Sequence, residues 1–113
     1  RADQGSDVLE EAKRELLEET GYQSSDWALF MKHGRDGKIL HDIYYYLARN
    51  CTKIREQSLD AGEKIEVKHL GFEDFIMLSD NPRFWVSAEF TNYLLRLRLD
   101  STKKEEFRKL LFG

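Results

Sequence analysis

Residues Arg14 to Tyr22 read Arg-Glu-Leu-Leu-Glu-Glu-Thr-Gly-Tyr, a run that commits this part of the chain to a short helix with a glycine stop. A helix turns about 100° per residue, so Glu15 and Glu19 lie about 40° apart, with Glu18 about 60° to the other side of Glu15. The three carboxylates share one flank, where like charges at these spacings repel and weaken an isolated helix. Adjacent basic residues relieve part of that repulsion. A hard, oxygen-seeking cation such as Mg²⁺ would relieve more, particularly if phosphate oxygens complete its shell. The plainer alternative is a solvated helix face, the usual role of a charge run.

At 113 residues the chain is expected to form a single domain over 1–113. A 41% apolar and 12% aromatic content supplies a core. The formal charge of -3 leaves no basic footprint for nucleic acid. Cys51 is the sole cysteine, which excludes an internal disulfide and fits a reducing compartment. No apolar run approaches the roughly 18–20 residues of a membrane span, so a cytoplasmic protein without membrane contact is expected.

Asp7 and Glu10 have the spacing of a capping box for a first helix. Val8, Leu9, Ala12, Leu16 and Leu17 give that helix an apolar face through Thr20, with Gly21 as its C′ stop. Trp27 to Met31 and Ile39 to Ala48 read as the strands of a hairpin turning at Gly34-Arg35-Asp36-Gly37. Lys64 to Leu70 alternates as a further strand, and Phe72 to Leu78 reads as a short helix. Pro82 is expected to open a longer helix carrying Phe84, Trp85, Ala88, Tyr93, Leu94 and Leu97. Ser101 would cap a last helix with Phe107, Leu110 and Leu111 as its apolar stripe. The pattern is mixed α and β, with helices concentrated late.

The run from Arg14 to Tyr22 resembles the second half of the Nudix hydrolase signature, G-x5-E-x7-R-E-U-x-E-E-x-G-U, where U is bulky and apolar or aromatic. Arg14, Glu15, Leu16, Glu18, Glu19, Gly21 and Tyr22 match at every defined position of that half. The first half departs from the pattern. The family's first glutamate, a partner for the arginine, falls on Ser6, and its initial glycine would lie before Arg1. Asp3, Gln4 and Gly5 look like a variant approach to the helix, and Glu11 replaces the small residue often found there.

The resemblance implies an α/β fold, a three-layer α/β/α sandwich with a mixed sheet whose first strands would precede Arg1. It implies Mg²⁺ or Mn²⁺ held by Glu15, Glu18 and Glu19, with Arg14 as an orienting partner and Gly21 as a structural stop. The reaction implied is hydrolysis of a nucleoside diphosphate linked to another group, with ADP-ribose or an ADP-sugar the best single choice. A homodimer fits, since many relatives of the ADP-ribose type are dimers. The alternative, favoured by Ser6, is a Nudix-fold nucleotide-binding or regulatory domain that no longer turns over substrate.

A general base is also required. The stretch from Glu56 to Val67 resembles the acidic segment that some ADP-ribose-type members place over the substrate. Glu63 is the first choice for a base or auxiliary metal ligand, then Glu66, then Asp60. Against this stands an ordinary polar loop. His33, His41 and His69 show no metal-ligand spacing. Tyr44, Tyr45 and Tyr46 alternate faces on a strand, and Cys51 reads as a small buried apolar residue. Lys103 to Lys109, of mixed charge, reads as a solvated amphipathic helix.

Overall fold

Val8, Leu9, Ala12, Leu16 and Leu17 recur at helical spacing, and they form the half-buried stripe of helix α1 (Gly5–Thr20). The computed structural model describes residues 5–34, 42–84 and 86–113. Helix α1 starts earlier than the capping pattern predicts. Asp7 therefore lies inside the first turn and is not the N-cap, and Glu10 pairs with Lys13 at 3.4 Å. An acidic residue in the first turn still complements the helix dipole.

The helix ends where the glycine predicts. Gly21 takes φ +80°, and its N–H donates to the Leu17 carbonyl at 2.8 Å, closing the last turn. The chain then enters β1 (Tyr22–Gln23), followed by β2 (Asp26–Gly34), β3 (Asp42–Arg49) and β4 (Thr52–Lys53). Strands β2 and β3 form the expected antiparallel hairpin, with a register irregularity between Leu29 and Met31. The predicted hairpin turn and Ile39 to His41 fall largely outside the described residues. Strands β1 and β4 add a second two-stranded antiparallel sheet, pairing Tyr22 with Lys53. Such two-residue strands carry no periodicity to read.

The hairpin's alternation does what its sequence predicts. Tyr44 and Tyr46, two residues apart, stack with ring centroids at 6.2 Å, and Trp27 meets Tyr46 edge-on at 6.3 Å. Asp26 accepts from Arg49 Nη2 at 2.7 Å across the first rung. Cys51, expected to be buried, is exposed just after the left-handed Asn50, where the chain leaves β3.

Three further expectations are corrected. Residues Lys64 to Leu70 form no strand. Ile65 and Val67 are half-buried while Lys64, Glu66 and Lys68 are exposed, so the alternation is real. A ladder, however, needs a partner backbone, and the Ile65 carbonyl is taken by the side chain of Gln57 at 2.8 Å. Pro82 does not begin the long helix either. It sits in a turn, and helix α3 (the twelve residues Ala88–Leu99, after the short α2, Phe72–Ile76, and a 3₁₀ turn, Met77–Asp80) starts behind the N-cap Ser87, which accepts from the Phe90 N–H. Phe84 therefore precedes the helix, and Trp85 lies outside the described residues. Finally, helix α4 (Ser101–Phe112) is capped by Asp100, not Ser101; the Asp100 carboxylate accepts from the N–H groups of Thr102 and Lys103.

The chain divides into two compact units, Arg1–Val67 and Lys68–Gly113. The first holds α1 and the four strands. In the second, Ile76, Leu94, Leu97 and Phe107 are buried, and Phe107 packs on the rings of Phe72, Phe75 and Tyr93. The basic tail is not merely solvated: Lys104 and Arg108 of α4 both reach Glu73 of α2, at 2.8 and 3.3 Å. The structure is thus a mixed α and β chain with small antiparallel sheets. Among the described residues, no helix is long and apolar enough to cross a membrane.

Candidate functional site

The last two turns of α1 present the carboxylates, and the loop after β4 is folded against the end of that helix. Three backbone bonds hold this loop. The Gly21 carbonyl accepts from Ile54 N–H at 2.9 Å and from Arg55 N–H at 3.4 Å, while Ser58 N–H donates to the Glu18 carbonyl at 2.7 Å. The last carbonyls of a helix have no partner inside it, and the loop supplies one. The Gln57 carboxamide adds two more, donating to the Glu19 carbonyl at 2.7 Å and to the Ile65 carbonyl at 2.8 Å.

Within the loop, Asp60 to Glu63 closes a tight turn. Glu63 N–H donates to the Asp60 carbonyl at 3.0 Å, and Asp60 N–H donates back to Glu63 Oε1 at 2.8 Å. Gly62 supplies the left-handed residue, at φ +90°. The turn fixes one oxygen of the Glu63 carboxylate and brings its charge within reach of α1.

The consequence is felt at Glu19. Partial burial, then the charges of Glu15, Glu63 and Glu18 in that order, hold its carboxyl above the ordinary carboxylate range. The fold therefore brings the charge of Glu63, from a loop about forty-five residues later, to bear on Glu19, alongside that residue's helix neighbours Glu15 and Glu18. Asp60 opens the same turn, whereas Glu66 is exposed on the segment beyond it.

Arg14 lies at the edge of this group. Its Nη1 donates to Glu18 Oε1 at 2.9 Å and its Nη2 donates to Glu11. These two bonds and the negative charges of both partners hold the guanidinium firmly protonated, its pKa raised above the usual arginine value. Glu11 was not foreseen as this partner, although its i,i+3 spacing from Arg14 is a readable signal. Gln57 and Ser58 were also missed, and no spacing rule finds them. Arg14 also lines an open cleft of about 390 Å³, together with Glu10, Lys13, Leu17, Gln23, Ser24 and Trp27.

Among the described residues, no three His, Cys, Asp or Glu side chains form a ready-made metal cage. His69 is exposed, and His41 lies outside the described residues. Carboxylate oxygens are the donor type a hard divalent ion takes, and Glu19 is the one whose ionisation partial burial and its acidic neighbours oppose.

Glu19 makes a pH prediction. Between its unfolded pKa and its raised folded value, the folded chain binds more protons than the unfolded one. Stability therefore falls as pH rises through that window and stays lower above it. Glu19→Gln is expected to raise the Tm of the metal-free protein at neutral pH by roughly 2–4 °C, from about 0.5 kcal/mol of relieved like-charge repulsion. Melts at about pH 4 and pH 7 check this; an equal gain at both would contradict the electrostatic origin.

Comparison with models of known protein families and with curated proteins finds no match for this chain.

Proposed function

We propose that this chain is a Nudix-type, Mg²⁺- or Mn²⁺-dependent hydrolase cleaving the diphosphate linkage of a nucleoside diphosphate derivative. The observation that carries the reading is the ordered run of Glu15, Glu18 and Glu19, which resembles the metal-holding half of the Nudix signature, with the loop that bears Glu63 bonded to the end of the same helix. On this reading the chain belongs to an α/β/α sandwich with a mixed sheet, and it works in the cytoplasm on a small molecule, with a homodimer as the assembly.

Glu15, Glu18 and Glu19 would hold the divalent ions, with Glu63 as auxiliary ligand or general base. A divalent ion held there would offset the charge of the diphosphate and lower the pKa of water. The chain's own residues prepare the rest. Arg14 holds the Glu18 carboxylate in one orientation through a charge-assisted bond. The Asp60–Glu63 turn leaves the second Glu63 oxygen to take a proton from the attacking water. The cleft beside Arg14, with Lys13 and Trp27 in its wall, offers a cation and a ring to a phosphorylated, planar substrate.

ADP-ribose or an ADP-sugar is the substrate class we put first, with AMP and a phosphorylated sugar as products; for ADP-ribose the second product is ribose 5-phosphate. The test is an Mg²⁺-dependent assay across ADP-ribose, sugar nucleotides, dinucleotides and nucleoside triphosphates, scored by AMP or other monophosphate release. Turnover of a diphosphate-linked substrate that stops on chelation is expected. Binding without turnover across the whole panel would instead favour a nucleotide-binding or regulatory domain, the reading that Ser6 favours through the loss of the signature's first glutamate.

A further inference from the structure

Glu63 is useful to a metal or a water only if the loop bearing it stays seated on α1, yet that loop has little of its own to hold it. Gln57, Ser58, Asp60, Ala61, Gly62 and Glu63 are all exposed, so no buried apolar anchor fixes the turn. Leu59 and Ile65 are half-buried at its two sides. What fixes it is hydrogen bonding to main-chain carbonyls. Ser58 contributes a single backbone bond. Gln57 does more, because both hydrogens of one carboxamide are used on main-chain carbonyls, one at the end of α1 and one just beyond the acidic turn.

We infer that Gln57 is a positioning residue: by donating to the Glu19 and Ile65 carbonyls, its carboxamide straps residues 57–65 to the end of α1 and sets Glu63 beside Glu19. The geometry is specific to a primary amide. An ester-like or carboxylate side chain of the same length lacks the two donors, and a hydroxyl can bond only one carbonyl at a time. The strap spans the whole acidic turn, so its loss frees Glu63 while leaving the Asp60–Glu63 bonds intact. For its effect on turnover, the inference rests on the hydrolase reading above; for the position of Glu63, it does not.

Gln57→Met in the full chain removes both donors without adding charge or altering length much. Amide exchange of the metal-free protein over residues 58–65 is expected to quicken about 5- to 10-fold, the factor carried by one or two modest hydrogen bonds. The β2–β3 hairpin should keep its rates. At fixed neutral pH, Glu63→Gln should shift the Glu19 side-chain carboxyl ¹³C resonance in the wild type but leave it in place in the Gln57→Met background. Turnover, if present, should fall about 10-fold in kcat with KM within about twofold, the scale of an outer-shell residue. Gln57→Met should add little to Glu63→Gln. Unchanged exchange over 58–65, or a Glu19 resonance equally sensitive to Glu63 in both backgrounds, would overturn the strap. Absence of hydrolysis from every variant would instead remove only the proposed function, since the exchange and resonance measurements stand without it.

Discussion

Glu18→Gln is expected to reduce Mg²⁺-dependent turnover by about 100-fold or more while leaving the metal-free fold at least as stable. Outer-shell substitutions at metal sites typically cost 10–100-fold, and a direct ligand should lie at or beyond the top of that range. The amide preserves the shape of the side chain and keeps an oxygen to accept from Arg14 Nη1, now at 2.9 Å from Glu18 Oε1. What it removes is charge. Glu19 loses one of the three carboxylates that oppose its ionisation, so the metal-free protein should melt no lower than wild type. The combination of collapsed turnover and intact melting separates a metal-site role from a folding role. Turnover within about threefold of wild type would sink the assignment of Glu18 as a ligand. Equal destabilisation and inactivation would place the residue in the structural class instead.

Gly21→Ala should cost about 3–4 kcal/mol of stability, far more than the same change at the other left-handed turn glycine. A β-carbon on Gly21 would lie 2.0 Å from the Arg55 carbonyl oxygen and 3.1 Å from its carbon, both main-chain atoms that no rotamer change can move. The left-handed backbone itself costs a non-glycine residue about 1–2 kcal/mol. Relieving the clash shifts Arg55 and strains the bonds that Ile54 and Arg55 donate to the Gly21 carbonyl, each worth about 1 kcal/mol. Gly62, at φ +90°, has nothing within 4 Å of its hypothetical β-carbon, so Gly62→Ala should cost only about 1–2 kcal/mol. Denaturant titration followed by Trp27 fluorescence, in a Trp85→Phe background, reports on the unit containing both glycines. Similar midpoints for the two variants would mean that the Arg55 approach carries no weight.

The two glycines also show how the local and the distant divide. A glycine after a helical stripe is legible as a C′ stop, and Gly21 is one. Its second duty, leaving room for the Arg55 carbonyl, belongs to a loop some thirty residues further on and has no local trace. Some helix ends were legible to within a residue, others not: Asp100 caps α4 one position before the predicted Ser101, since a carboxylate there accepts two N–H bonds, whereas α3 starts behind Ser87, well past the Pro82 expected to open it. The strand predicted over Lys64 to Leu70 failed for a related reason. Alternation specifies which side chains turn inward, whereas ladder formation depends on a neighbouring backbone, and Gln57 occupies the carbonyl instead.

By itself, the sequence determined the α1 carboxylate flank, its glycine terminus and the β2–β3 hairpin, because each is written in residues a few positions apart. Those are properties of 3.6- and two-residue periodicities and of turn chemistry. Only the tertiary structure decided that the 54–65 loop folds back on α1, that Gln57 ties it down, that Glu11 takes up Arg14, and that Glu63 adds its charge to Glu19. The loop contacts are bonds to helix-end carbonyls that many donors could satisfy, and nothing in the spacing of residues says which one arrives.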